Sequence, residues 1–333
     1  MSALADVARV AAVSKATASR ALSGNGYVAA ETRDRVVAAA AAIGYVVSSN
    51  AASLVTGQTR NVGVVIPHIN RWYFAEVLEG IEQSLIAAGY DLTLYQLSAD
   101  PAERRRVFEY FLVRKRVDAV IAVGIELTVH EVALLHSLAK PIAGIGGAVD
   151  GIATLSIDDV AATTLTTEHL IALGHQRIVH IGGDQHEEMD FRVHSQRLRG
   201  FRRAMQAAGL APDFRETDLS IPGGHAAGLE VLAEPHRRPT AIVAGSDEVA
   251  IGVIIAAREL GIRVPDDLSV VGIDGHDLAA MFDLTTLEQS PRRQGELAVN
   301  SVMATLAGEA PAAGWAPYPA HFVTRGSTAA PAR

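Results

Sequence analysis

Residues 7–24 read VARVAAVSKATASRALSG. Val7, Ala8, Ala11 and Ala12 recur at the spacing of one helical face. Ser14 has the chemistry of a helix N-cap, so KATASRAL (15–22) opens a second short helix soon after the first. GNGY (24–27) is a turn. AAETRDRVVAAAAAIGY (29–45) is a third helix, with Thr32 near its start and Gly44 as its stop. Two short helices on a tight Ala11–Ser14 connection, crossed by a third, predict a helix-turn-helix unit whose second helix enters a DNA major groove. Such a helix needs polar or basic side chains that reach bases and phosphates. Lys15, Thr17, Ser19 and Arg20 supply them, and Ala16 and Ala18 let the backbone come close.

The charge distribution agrees. Residues 1–60 carry a net +3, whereas the whole 333-residue chain is −8, so a basic head precedes an acidic body. That pattern suggests a polyanionic partner for the head alone. The body is apolar enough for a normal core, with 49% hydrophobic residues. The absence of cysteine excludes disulfides and thiolate metal sites. No stretch reads as a signal segment or a bilayer span, so the expectation is a cytoplasmic protein that does not engage a membrane. The polar loop DQHEEMDFRVH (184–194) has no metal-site spacing, and no metal or cofactor is expected.

From Asn61 the pattern changes. VGVVIP (62–67) is a β-branched run typical of a strand buried on both faces. Strands then alternate with helices of 10–15 residues through two successive blocks, which means parallel βαβ units in two similar lobes. Loops at the carboxyl ends of such strands build ligand sites, and a cleft between lobes suits a small molecule. The expected domains are a DNA-binding head over 1–46, a linker over 47–60, a first lobe over 61–160 joined by about 291–325, and a second lobe over 161–290.

These segments resemble one family. DVARVAAVSKATASRALSG at the head is followed in order by GVVIPHINRWYFAEVLEGIE (63–82), TEHLIALGHQRIVHIGG (167–183), QRLRGFRRAM (196–205), PTAIVAGSDEVAIGV (239–253), LSVVGIDGHDLA (268–279) and LTTLEQ (284–289). Together they resemble the LacI/GalR family of bacterial regulators along the entire chain. The resemblance implies an α-helical helix-turn-helix domain followed by a two-lobed, periplasmic-binding-protein-like α/β core of doubly wound parallel sheets. It implies a sequence-specific repressor of carbohydrate metabolism genes, a homodimer on palindromic operator DNA, controlled by a sugar or sugar derivative.

It also implies site residues. Lys15, Ala16 and Arg20 sit where the family reads bases. Ser14, Thr17, Ser19, Thr32 and Tyr45 sit where it contacts phosphates. SSNAASL (48–54) looks like the hinge, with Leu54 as a minor-groove wedge beside Ala51. Val47, Ser48 and Ala52 depart from the hinge pattern, and Ala12 stands where the turn usually has glycine. In the core, Arg197, Asp247 and Asp274 match effector positions, and Trp72, Tyr73 and Phe74 stand at the cleft rim with His68 and Asn70. A transport-type sugar-binding protein would share the core but not the basic head. An enzyme is disfavoured because neither a dinucleotide nor a P-loop motif occurs in strand-to-helix context. No leucine-repeat helix follows Arg325, which favours a dimer over a tetramer.

Overall fold

The computed structural model describes residues 4–23, 26–45, 58–97, 100–112, 117–183, 193–310 and 314–332. Contacts divide the chain into two units, Met1–Arg60 with Lys115–Asp118, and the remainder.

In the first unit, α1 (Leu4–Val10), α2 (Lys15–Ser23) and α3 (Ala30–Ala42) enclose a core of small side chains. Val7, Ala8, Ala11, Ala18, Ala21, Val36, Ala39 and Ala40 are all buried. Ser14 caps α2 as expected: its hydroxyl accepts the Thr17 N–H at 3.0 Å. The same backbone motif closes α1 and α3. Tyr45 N–H bonds Ala40 O and Gly44 N–H bonds Ala41 O, with Gly44 at φ 62°. At the end of α1, Val13 N–H bonds Ala8 O and Ala12 N–H bonds Arg9 O, with Ala12 at φ 52°. This closure prefers glycine at the left-handed position, and Ala12 bears the strain there because its Cβ crowds the carbonyl. Arg35 helps hold the turn by donating from Nε to Ala11 O at 3.1 Å.

The second unit holds two lobes. In the first, β1 (Asn61–Ile66), β2 (Asp91–Gln96), β3 (Ala119–Val123), β4 (Ile142–Ile145), β5 (Ala153–Ser156) and β11 (Gly314–Pro317) form a sheet ordered β11-β5-β4-β3-β1-β2. In the second, β6 (Ile178–Gly182), β7 (Asp213–Glu216), β8 (Ala241–Ala244), β9 (Ser269–Asp274), β10 (Thr285–Glu288) and β12 (His321–Val323) form a sheet ordered β12-β10-β9-β8-β6-β7. Every pairing is parallel except β12 against β10. The tail therefore divides between lobes. Helix α11 (Pro291–Leu306) and β11 lie with the first lobe, but residues 321–323 pair with β10, not with the first lobe to which the sequence reading assigned everything to about 325. Val323 meets Thr286 in register, and the half-buried Phe322 packs onto Ile273 and Leu287 of that second sheet.

The remaining helices are α4 (Trp72–Ala87), α5 (Pro101–Arg105), α6 (Val129–Ser137), α7 (Asp159–Ala172), α8 (Val193–Ala207), α9 (Ile221–Leu232) and α10 (Asp247–Glu259). Helix α5 passes at Arg106 into a π-helical segment ending at Leu112. Strand order reverses between β1 and β3 and again between β6 and β8, the crevice positions where open α/β sheets bind ligands.

Helix α11 returns to the first lobe by crossing α4 at glycine. A Cβ on Gly80 would stand 2.0 Å from Arg292 O, and one on Gly295 would stand 2.3 Å from Val77 O. Only hydrogen fits between these backbones. Gly295→Ala should therefore destabilise the core by about 1–3 kcal/mol through overpacking, read as a lower thermal midpoint. Ala12→Gly should act oppositely on the head. Relief of the left-handed alanine, less the added chain entropy of glycine, should leave about 0.5–1 kcal/mol of stabilisation. Amide exchange in α1–α3 should slow about two- to fivefold.

Candidate functional site

On α2, Lys15, Ala16, Ser19 and Arg20 are exposed while Ala18 and Ala21 are buried. Spacings of one and four residues put the exposed four on one face. Thr17 is half-buried, its hydroxyl 2.8 Å from that of Ser14. Thr32 is half-buried in the first turn of α3, and Tyr45 packs partly against the head core. The structure thus brings the candidate base-reading residues onto one surface. Ala51 and Leu54, with the rest of the hinge reading, lie outside the described residues.

In the core, a cavity of about 580 Å³ opens between the lobes at the strand ends. His68, Tyr73, Phe74, Arg197 and Asp274 line it. Tyr73 and Phe74 meet edge to face at 5.3 Å between ring centroids. Three other candidates lie elsewhere. Asn70 is exposed and does not line the cavity. Trp72 stacks on His276 at 4.6 Å and donates from Nε1 to Asp277 at 3.3 Å. Asp247 is fully buried behind the cavity wall. Its carboxylate accepts the N–H groups of Gly275 and His276 at 2.9 and 2.8 Å and the Thr286 hydroxyl at 2.6 Å. It is a strut for the loop after β9. Ser246, one residue earlier, caps α10 and also lines the cavity.

The polar floor is built around one guanidinium. Arg197 Nε donates to Asp159 Oδ1 at 2.8 Å, its Nη1 donates to Gly245 O, and Nη1 stands 3.9 Å from Asp274 Oδ1. Gln289 Nε2 donates to Asp274 at 2.6 Å. Gln294 Nε2 donates to Gln289 O at 2.7 Å, and Tyr73 Oη donates to Gln294 Oε1 at 3.3 Å. This buried chain links the floor, carried by the second lobe, to α4 and α11 of the first. Asp274 ends β9 at φ 138°, a conformation rare outside glycine, and strain of this kind clusters at sites where a side chain must be aimed.

Sequence reasoning missed Asp159, Gln289, Arg71, Glu216, Asp218 and Glu248, which also line the cavity. Asp159 and Glu248 each follow a strand by a few residues, a weak signal that could have flagged them. Nothing local marks Gln289.

Two carboxylates compete for Arg197, and burial raises both. The Asp159 pKa rises through burial, opposed by Arg197. Asp274 is pushed up to about 8, first by burial and then by the Asp247 charge, against the pull of Arg197. The folded core therefore holds a proton at Asp274 that the unfolded chain releases near pH 4. Between those values the native state binds more protons, so this group's contribution makes stability fall as pH rises from about 4 to about 8. Asp274→Asn keeps an acceptor for Gln289 but cannot ionise. Thermal midpoints across pH 4–9 should show a flatter decline for the variant than for the parent chain. Parallel curves would contradict the assignment.

Comparison with known proteins accords with this geometry. Residues 3–48 match the family model described as bacterial regulatory proteins, lacI family, and residues 167–328 match a periplasmic binding protein-like domain. The HTH-type transcriptional repressor PurR of Glaesserella parasuis serovar 5 is 32% identical over 310 residues, 91% of this chain and 89% of that protein. The lac repressor dimer bound to operator and the anti-inducer ONPF superposes with a TM-score of 0.86 at 26% identity, over 99% of each chain. A transcriptional regulator CelR–cellobiose complex superposes with a TM-score of 0.70 at 25% identity, over 98% of this chain and 100% of that one. The protein is a DNA-binding transcriptional repressor and not an enzyme, and it belongs to the lacI family of bacterial regulatory proteins.

Proposed function

We propose that two copies of this chain bind a palindromic operator and that a small hydroxylated molecule, a sugar or sugar derivative, sets their affinity for it. The observation that carries the effector reading is the Arg197–Asp159–Asp274–Gln289 floor beneath an aromatic edge. Carboxylates and a guanidinium at adjacent positions satisfy neighbouring hydroxyls, and rings cover the apolar faces of a sugar. The cellobiose complex of a similar regulator supports this class, and with it control of genes of carbohydrate metabolism. Similarity to repressors named PurR favours a second reading, a purine base lying on Tyr73 or Phe74.

On DNA, Lys15, Ala16 and Arg20 are the base-facing side chains, and Ser14, Thr17, Ser19, Thr32 and Tyr45 serve the phosphates. Ala51 and Leu54 would contact the minor groove at the operator centre. The protein then acts wherever the genome lies, in the bacterial cytoplasm. Effector binding acts by favouring one lobe arrangement over another, and operator affinity differs between the two.

Selection of genomic fragments by the purified protein, with and without mixed sugars and purine bases, tests this reading. A palindrome whose enrichment changes with one additive supports it; enrichment indifferent to every additive counts against effector control. Arg20→Ala should cost about 1–3 kcal/mol of operator binding, roughly 5- to 150-fold, with effector binding intact. Asp274→Ala should leave operator affinity in place and remove the effector response. A full response in that variant would exclude the floor as the effector site.

A further inference from the structure

We infer that Asp118 is a positioning residue for DNA binding: its carboxylate fixes the direction of the chain where the linker joins β1. Asp118 stands one residue before β3, and Thr59 and Arg60 are the two residues before β1. Asp118 Oδ1 accepts the Thr59 N–H at 2.9 Å and the Thr59 hydroxyl at 3.0 Å, and Oδ2 accepts the Arg60 N–H at 2.7 Å. One carboxylate thus closes on two consecutive backbone amides that lie 59 and 58 residues away in sequence. Such charge-assisted bonds are stronger than those between neutral groups. On the next residue, the Asn61 side-chain amide donates to Thr93 Oγ1 of β2 at 2.6 Å. The entering chain is therefore held from both strands that flank β1.

The backbone bends where it is held. Arg60 has φ 50°, a left-handed conformation that is unfavourable for a residue bearing a Cβ. Strain of this kind persists only where surrounding bonds over-determine it, and the Asp118 carboxylate supplies those bonds. The bend gains the core little burial, since Arg60 is exposed and Thr59 only half-buried. The strand itself is secured without it. β1 pairs with β2 from Asn61 and with β3 from Val62, and Val62 to Ile66 are buried. What the bend does set is the course of the linker before it. Contacts place Asp118 in the unit that ends at Arg60, although Ala119 opens β3. In a DNA-binding repressor, a backbone torsion fixed beforehand is one whose freedom is not lost when the head settles on an operator.

The test uses the full-length protein and the genomic fragment that the parent chain binds most tightly, at temperatures where circular dichroism shows each variant fully folded. Asp118→Ala frees about one residue's worth of backbone, so its affinity for that fragment should fall about five- to thirtyfold. Asp118→Asn keeps an acceptor oxygen for Thr59 but loses the one for Arg60, and should fall between Asp118→Ala and the parent. Thr59→Val removes only the hydroxyl bond. It should weaken binding in the parent chain and have no effect in the Asp118→Ala background. The slope of affinity against salt should stay that of the parent, because no phosphate contact is lost. Charge alone predicts the opposite sign, since removing a carboxylate lessens the repulsion of DNA. Parent-like or tighter binding by folded Asp118→Ala would overturn the assignment, as would a Thr59→Val effect that persists undiminished in that background. Should Asp118→Ala fail to fold, Asp118→Asn decides alone, and parent affinity in that variant would overturn the assignment.

Discussion

A single buried guanidinium organises the second lobe's half of the cleft. Arg197, 6% exposed, joins α8 to Asp159 at the start of α7, to the Gly245 carbonyl after β8 and to Asp274 at the end of β9. An arginine removed from water carries a penalty of several kcal/mol unless fully paired. The pairing therefore fixes where these elements end. Once Arg197 is placed, the loops after β8 and β9 cannot drift apart without exposing an unpaired buried charge. Asp247 performs the same service one layer deeper by gathering Gly275, His276 and Thr286. The candidate site is thus a by-product of the way the lobe satisfies its own buried polar groups. What is left for a ligand is the unsatisfied share of Asp274 and its neighbours.

The same network gives the cleft a route to the other lobe. Gln289 and Gln294 are buried and bonded to each other, one reaching Asp274 and the other Tyr73. Buried amides of this kind hold one geometry when all partners are in place. A ligand that takes Asp274 from Gln289 perturbs a connection that ends on α4. Between Gln289 and α11 stands Ser290 at φ 48°, so the chain crosses between lobes through a strained residue.

The head follows a different logic. Its core is made of alanine and valine, so it gains little from burial per residue, and its geometry depends on turns and caps. The Ser14 cap, the Arg35–Ala11 bond and the two helix closures at Ala12 and Gly44 set the angle at which α2 is presented. A small unit with so little apolar burial is marginally stable, so these caps and closures carry a large share of its stability.

Much of this was legible in the residues. The head's helices, the Ser14 cap, the Gly44 stop and the alternation of buried strands with helices are local matters, governed by periodicity and capping within a few residues. Arg197 and Asp274, marked by the resemblance to the family's effector positions, do line the cavity. Asp247, Trp72 and Asn70 stand equally close to strand ends, yet they do not line the cleft. Whether an acid at a strand end faces a ligand or braces the next loop depends on partners 28 to 39 residues away, such as Gly275 and Thr286. Gln289 and Glu248 entered the site only when β10 and α10 were set beside the other lobe. Sequence by itself determined the elements, their order and the basic face of α2, since these rest on short-range spacing. Tertiary structure decided which buried charges pair, how the tail divides between sheets and which side chains reach the cavity, because each depends on contacts between segments far apart in the chain.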